Sequence, residues 1–275
     1  MIKDMIVNLV GRGPQDFAAD YAVSVAASFG AHLVGIAFEY DAVIPDGALG
    51  AIPVDLIEIQ QEESAKIART AVERFTARAK AAGVSAETRT LDASLGGAAS
   101  LFAAVARRFD LAVMGQAQRD HGASEDLLIE AALFESGRPL VLVPYIQSQG
   151  IKLDRVIVCW DGERTAARAI ADAMPFLERA KAVDLVIVAE ERKQEDVAGA
   201  DMITHLERHG VPATVKRTSK GDISIENVIL SYAADNAADL LVMGGYGHSR
   251  LREFILGGVT RGILASMTVP VLMSH

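Results

Sequence analysis

A six-residue segment that occurs twice restricts the possible folds of this chain most strongly. Asp-Leu-Ala-Val-Met-Gly at residues 110–115 recurs as Asp-Leu-Leu-Val-Met-Gly at residues 239–244. A short apolar run that begins at Pro139 likewise has a counterpart that begins at Pro270. Short apolar runs that end at glycine are typical of buried parallel strands. Two copies separated by about 130 residues therefore predict a duplicated unit.

Apolar runs of strand length alternate with segments of helical periodicity along the whole chain. The first half reads β-α-β-α-β-α-β-α-β, and the pattern restarts after the short polar segment 145–150. Strands that alternate with helices form parallel sheets with helices on both faces. We therefore predict an α/β fold of two tandem domains, 1–146 and 151–275. Each is expected to be an open five-stranded parallel sheet of the Rossmann-like, nucleotide-binding type.

Charge and composition exclude several classes of protein. The net charge is −9, and 51% of the residues are hydrophobic. Acidic and basic residues are interspersed, so no basic surface favours nucleic acid or an anionic membrane. No apolar run approaches the roughly 20 residues of a membrane helix, and the first residues lack a signal-peptide pattern. Together with a single cysteine, these features predict a soluble cytoplasmic protein without a disulfide.

The segment around the second copy of the repeated strand contains regularly spaced glycines. Gly244 ends the strand, Gly247 follows, and nine residues separate Gly247 from the pair Gly257-Gly258. Glycines let a backbone approach a phosphate closely, and the N-terminus of a helix favours negative charge. A helix is expected from Val259 onward, so phosphates would lie at its start. Tight strand-to-helix connections without a ligand need similar glycines, and both interpretations stay open at this point.

The spacing Gly-x2-Gly-x9-Gly followed by Ser or Thr resembles the nucleotide-binding signature of the universal stress protein family. The resemblance extends over nearly the whole chain as two tandem domains. It implies that the second domain binds ATP, with or without Mg²⁺. Gly258 stands where the family has its hydroxyl residue, and Thr260 is another source of a hydroxyl. We expect the side-chain contact to phosphate to be weakened by this departure.

The resemblance also assigns residues outside the glycine segment. Asp161 corresponds to a residue that faces the adenosine end of the nucleotide, and a helix N-cap is its alternative role. Val188 stands where the family packs its adenine, or it is simply part of the core. Arg250 lies within reach of phosphates, unless it is an ordinary solvated loop residue. No catalytic residue and no metal ligand is expected, and the candidate binding residues are Asp161, Val188, Gly244, Gly247, Arg250, Gly257, Gly258, Val259 and Thr260.

The first domain lacks the full signature. Gly115 is kept, but Ser124-Glu125-Asp126 stands before the helix expected at Leu127, and Val10 aligns with Asp161. Acidic residues at the start of a helix repel phosphate. We therefore expect a degenerate first domain and one nucleotide per chain.

The missing features indicate binding rather than catalysis. The chain has no Gly-x4-Gly-Lys-Ser/Thr loop and no evident base for attack by water, so ATP binding without efficient hydrolysis is expected. The resemblance implies a regulator of the stress response rather than a metabolic enzyme. A nucleotide-free protein-interaction module and a slow ATPase are the alternatives.

Two further expectations concern contacts. Unpaired edge strands are a liability, and family dimers pair through their last strands. The strands behind Pro139 and Pro270 are therefore expected to join the domains as an intrachain pseudo-dimer, with or without a homodimer. The loop from Asp41 to Val54 is unusually apolar, so we expect it to be buried, by its own domain or by a partner.

Overall fold

The computed structural model describes residues 1–42, 53–117, 123–189, 199–245 and 258–275. The chain divides into a first unit, Ile2–Arg138, and a second unit, Pro139–His275 together with Met1. Both units alternate strands and helices, and all strand pairs described within them are parallel except one. The predicted α/β class with parallel sheets is therefore confirmed.

In the first unit, four strands form a parallel sheet in the order β3-β2-β1-β4. The chain runs outward from β1 to β3 and then returns to the other side of β1. The elements are β1 (Asp4–Asn8), α1 (Phe17–Phe29), β2 (His32–Tyr40), α2 (Val54–Ala81), β3 (Ala86–Ala93), α3 (Gly97–Ala106), β4 (Leu111–Gly115) and α4 (Ala123–Glu135).

In the second unit, the strand order is β5-β10-β9-β6-β7-β8. The five strands from β10 to β8 are parallel and repeat the pattern of the first unit. The elements are β5 (Leu140–Val143), β6 (Arg155–Cys159), α5 (Arg164–Leu177), β7 (Ala182–Ala189), α6 (Gly199–Arg208), β8 (Ala213–Ser219), α7 (Ile225–Asp235), β9 (Leu240–Gly244), α8 (Gly258–Ser266) and β10 (Val271–Ser274).

The same aspartate of the repeated segment holds the start of a strand in both units. Asp110 Oδ2 accepts the backbone N–H groups of Lys3-Asp4 at 2.8 and 3.1 Å. Asp239 Oδ2 accepts those of Asp154-Arg155 at 2.8 and 3.0 Å. A carboxylate that accepts two N–H groups fixes the register of a strand end. β6 is therefore the structural equivalent of β1, as the repeated sequence predicted.

Residues at the two ends of α1 determine where this helix begins and ends. Asp16 caps α1 by accepting the N–H of Ala19 at 2.9 Å, and Gly30 ends this helix with a left-handed φ of 61°.

The central strands are apolar on both faces because helices cover both sides of a parallel sheet, and Met5, Ile6 and Val7 have no solvent exposure. Within the described ranges, no helix has the length and apolar character needed to span a membrane.

The last strand of each sequence repeat takes part in the antiparallel pair. β5 lies beside β10, with Val271 opposite Leu142 and Met273 opposite Leu140. The expected pairing of the strands behind Pro139 and Pro270 is thus present in the structure. β5 packs as part of the second unit, although the sequence repeat assigns it to the first.

Candidate functional site

The carboxyl edge of the second unit's sheet contains a point where the strand order reverses. β7 and β8 lie on one side of β6, and β9 and β10 lie on the other. Ligands of open parallel sheets bind beyond the strand ends at such a switch point. β6 ends two residues before Asp161, and Val188 lies two residues beyond the last described pair of β7 with β6, Cys159 and Val186. Two predicted site residues, Asp161 and Val188, therefore converge on this edge.

Asp161 is exposed and stabilises the turn that follows β6. Its Oδ1 atom accepts the backbone N–H of Glu163 at 2.9 Å. The N-cap of α5 is Glu163, which makes no side-chain capping bond. Asp161 is therefore not the N-cap residue, the alternative that the sequence left open. It remains at the surface with a carboxylate that can accept a further hydrogen bond.

Other polar atoms border this edge of the sheet. Trp160 follows β6, and its Nε1 donor is buried without a partner among the described residues. Ser274 pairs with Gly244 in the sheet. Its Oγ atom is buried and also has no hydrogen-bond partner among the described residues. Val188 is half-buried on β7. The edge therefore combines an apolar side chain with polar atoms whose hydrogen bonds are incomplete, as a ligand site requires.

Gly244 is a glycine because of packing. A Cβ atom at this position would lie 2.7 Å from the backbone N of Ala166 and 2.7 Å from the backbone C of Thr165, in the first turn of α5. The equivalent glycine of the first unit is Gly115, where a Cβ atom would meet Ala18 at an ordinary 3.8 Å. The tight contact follows from the short connection 160–163 between β6 and α5. The first glycine of the signature thus has a structural reason that needs no ligand.

The N-terminus of α8 begins at another predicted site residue. Gly258 is exposed, and a Cβ atom there would meet nothing within 4 Å. Val259 is half-buried, whereas Thr260 is only 3% exposed. The first N–H groups of a helix have no partner within it and favour an anion. Gly247, Arg250 and Gly257 lie outside the described residues, as does most of the apolar loop 41–54.

Cys159 lies at the end of β6, two residues before Asp161. Burial raises the pKa of its thiol to about 12, and the Asp161 carboxylate raises it further in the same direction. The thiolate is the reactive form of cysteine. The thiol therefore stays protonated at neutral pH, although Cys159 is only half-buried by its surface exposure.

We expect Cys159 to react with Ellman's reagent very slowly in the native protein near neutral pH. Because the chain has one cysteine, the assay has a clear endpoint of one thiol per chain. In denaturant, the exposed thiol of the unfolded chain should react as fast as free cysteine. Asp161→Asn should accelerate the native reaction slightly, since it removes one cause of the raised pKa. Fast native labelling of Cys159 would contradict the environment described here.

In the first unit, carboxylates of the chain itself border the equivalent edge. Val10, the counterpart of Asp161, donates its backbone N–H to Asp16 Oδ2 at 2.7 Å. Burial raises the pKa of Asp16, although the backbone N–H groups of Val10 and Ala19, which the carboxylate accepts, lower it. α4 begins at Ala123, so Glu125 and Asp126 form its first turn; the helix was expected to begin only at Leu127. These carboxylates therefore disfavour an anion both beside Asp16 and at the start of α4.

Comparisons with known proteins were decisive for the second unit. Residues 152–275 match the model of the universal stress protein family. These residues form a universal stress protein domain. A universal stress protein of Synechocystis sp. is 47% identical over 47 residues, which cover 17% of this chain and 16% of that protein. The chain thus spans about a sixth of this relative.

Solved structures extend the likeness of fold to the entire chain. A universal stress protein of Archaeoglobus fulgidus superposes with a TM-score of 0.72 at 16% identity, covering 98% of this chain and 97% of that one. A functionally unknown protein of Pseudomonas aeruginosa gives a TM-score of 0.61 at 14% identity and covers 99% and 92%. The likeness of fold to these proteins therefore covers both units.

Sequence reasoning missed two residues that shape these edges. Asp16 stands immediately before the periodic start of α1, and such a position is a recognisable N-cap signal. The contact of Thr165 with Gly244 carried no sequence signal, because it depends on how closely α5 approaches β9.

Proposed function

We propose that this universal stress protein binds one ATP per chain in its second unit and acts as a cytoplasmic regulator of the stress response. The supporting observation is that Asp161, Val188 and the end of β9 all lie at the carboxyl edge of neighbouring strands, beside the switch point of the sheet. Hydrolysis is expected to be inefficient, because the sequence supplies neither a P-loop lysine nor an evident base.

Each candidate residue has a defined contribution to binding. The Asp161 carboxylate would accept hydrogen bonds from the ribose hydroxyls, and Val188 would pack against the adenine. The N–H groups that open α8, preceded in sequence by Gly247 and Gly257, would bind the phosphates. The bound triphosphate would supply the negative charge that these N–H groups favour. Occupancy would then regulate contacts with another protein by ordering the glycine segment.

A nucleotide-free interaction module is the competing function, and one observation favours it. Because packing on α5 already requires Gly244, this glycine does not distinguish the two candidates. The distinction depends on Gly247 and Gly257, which lie outside the described residues, and on Asp161. Their substitution separates a nucleotide site from tight turns.

Calorimetric titration with ATP tests the proposal. Asp161→Ala should weaken binding by about tenfold or more, since a hydrogen bond to a charged group contributes about 1.5–3 kcal/mol. Gly258→Ser should strengthen binding by about fivefold, because the open space at Gly258 admits a side chain whose hydroxyl can contribute about 1 kcal/mol. Glu163→Gln is the control, since it removes one neighbouring charge and keeps the backbone N–H that Asp161 accepts.

A second variant covers the phosphate side. Gly247→Val would place a branched side chain where phosphate is expected to approach the backbone, and it should abolish binding. Undiminished ATP affinity in both Asp161→Ala and Gly247→Val would reject this site. Slow but measurable release of phosphate from bound ATP would instead favour the slow-ATPase alternative.

A further inference from the structure

The first unit contains a cavity of about 540 Å³ at the carboxyl edge of β1 and β2. The last residue of β1, the segment 9–12 that follows it and the end of β2 form one side of the cavity. Residues of α2 between Gln60 and Ala71 form the other side and recur every three or four positions, so a single helical face lines the space. This volume is in the range of small-molecule sites, about 300–1,000 Å³.

The inner part of the cavity is apolar. Leu9, Phe38, Ala68 and Leu128 line it, and each is less than 9% exposed. The rings of Phe38 and Tyr40 stand 5.8 Å apart and tilted, and both residues line the cavity. Such a surface favours the body of an apolar or aromatic molecule.

The outer part is acidic. Among the described lining residues, Asp41, Glu63 and Glu125 are carboxylates and Arg12 is the one cation. Burial raises the pKa of Tyr40, Glu125 raises it further, and Arg12 lowers it. The phenol therefore stays neutral and adds no negative charge. The excess of carboxylates disfavours an anion such as ATP and favours a cation.

The polar atoms at this edge of the cavity include a hydrogen-bond acceptor that can receive a ligand. The backbone N–H of Tyr40 is already donated to Ser64 Oγ at 2.6 Å, and that of Val10 to Asp16. Asn8 Oδ1, in contrast, is a buried acceptor without a partner in the described part of the chain. Asn8 Oδ1 therefore offers a hydrogen-bond acceptor to a ligand that donates.

We propose that this cavity binds a small organic cation, an ammonium group carried on an apolar or aromatic body. The apolar body lies against Phe38 and the α2 face, and the ammonium group faces Asn8 and the carboxylates. An ammonium has three donors and no acceptor, so it satisfies the open acceptor and the acidic rim together. This site lies in the first unit and is separate from the ATP site proposed for the second.

Three probes that share one ring system test the charge preference on the full-length protein. Calorimetric titration should detect one tryptamine per chain, with tryptophol about threefold weaker and indole-3-acetate weaker still, because exposed carboxylates attract the ammonium group only modestly and repel a carboxylate. Asp41 and Glu63 are exposed, so the double variant Asp41→Asn/Glu63→Gln should weaken tryptamine by about threefold. Glu73→Gln, an exposed carboxylate of α2 outside the lining, should leave tryptamine affinity unchanged.

Several results would overturn the proposal. They are absence of tryptamine binding, equal binding of indole-3-acetate, or an equal loss of affinity in Glu73→Gln and in the double variant. Asp161→Ala separates this site from the ATP site, since it should weaken ATP and leave tryptamine unaffected. A loss of tryptamine binding in Asp161→Ala would assign the cation to the second unit and contradict the cavity.

Discussion

Gly244→Ala should destabilise the second unit by about 1–3 kcal/mol, the usual result of overpacking. The added Cβ atom would meet backbone atoms of Thr165 and Ala166 at 2.7 Å, and backbone in the first turn of a helix cannot rotate away as a side chain can. Gly115→Ala at the equivalent position of the first unit should instead stabilise by about 0.4–1 kcal/mol, because alanine restricts the unfolded chain and the space is available.

Chemical denaturation distinguishes the two substitutions. The one tryptophan of the chain, Trp160, belongs to the second unit, so its fluorescence follows the unfolding of that unit. Gly244→Ala should lower the denaturant midpoint of this signal, whereas Gly115→Ala should not. An unchanged midpoint in Gly244→Ala would show that α5 can move aside, and the glycine would then need a ligand-based reason.

The fragment Pro139–His275 should be much more stable than the fragment Ile151–His275, which lacks β5. Leu140, Val141, Leu142 and Val143 are at most 1% exposed, and burial of each such side chain contributes about 1.5–3 kcal/mol as an upper range. Loss of β5 also leaves the edge of β10 unpaired, and unpaired edges associate.

Denaturation and analytical ultracentrifugation compare the two fragments. Ile151–His275 should unfold at lower denaturant and should self-associate more strongly through β10. The comparison also tests whether β5 functions as part of the second unit, where its contacts place it. Equal midpoints and equal masses for both fragments would contradict an essential role for the β5–β10 pair.

Local patterns explain how much of the fold could be predicted. Apolar runs and helical periodicity are local, so the order of elements and the repeat were evident from sequence. The start of α4 was misjudged because Glu125 and Asp126 resemble a polar loop, although acidic residues also stabilise a first helical turn. The amphipathic pattern of α2, by comparison, is long, so a helix of this kind can be recognised from the sequence.

Tertiary distances explain what the sequence could not provide. Asp161 and Val188 reach one edge because strand order and register follow from the repeat. The reason for Gly244 depends on how closely α5 packs, and the cavity of the first unit depends on how α2 lies over the ends of β1 and β2. No sequence motif predicts the distance between α5 and β9 or the size of the cavity, since both arise from packing between elements that are distant in sequence.

Native mass spectrometry of the full-length protein with ATP measures the number of nucleotides per chain directly. One bound ATP is predicted, and the combined variant Asp161→Ala/Gly247→Val should bind none. Two ATP molecules per chain would contradict the degenerate edge of the first unit, where Asp16 already accepts the N–H of Val10. No ATP on the wild-type chain, or one that persists in the combined variant, would contradict nucleotide binding at the switch point of the second unit.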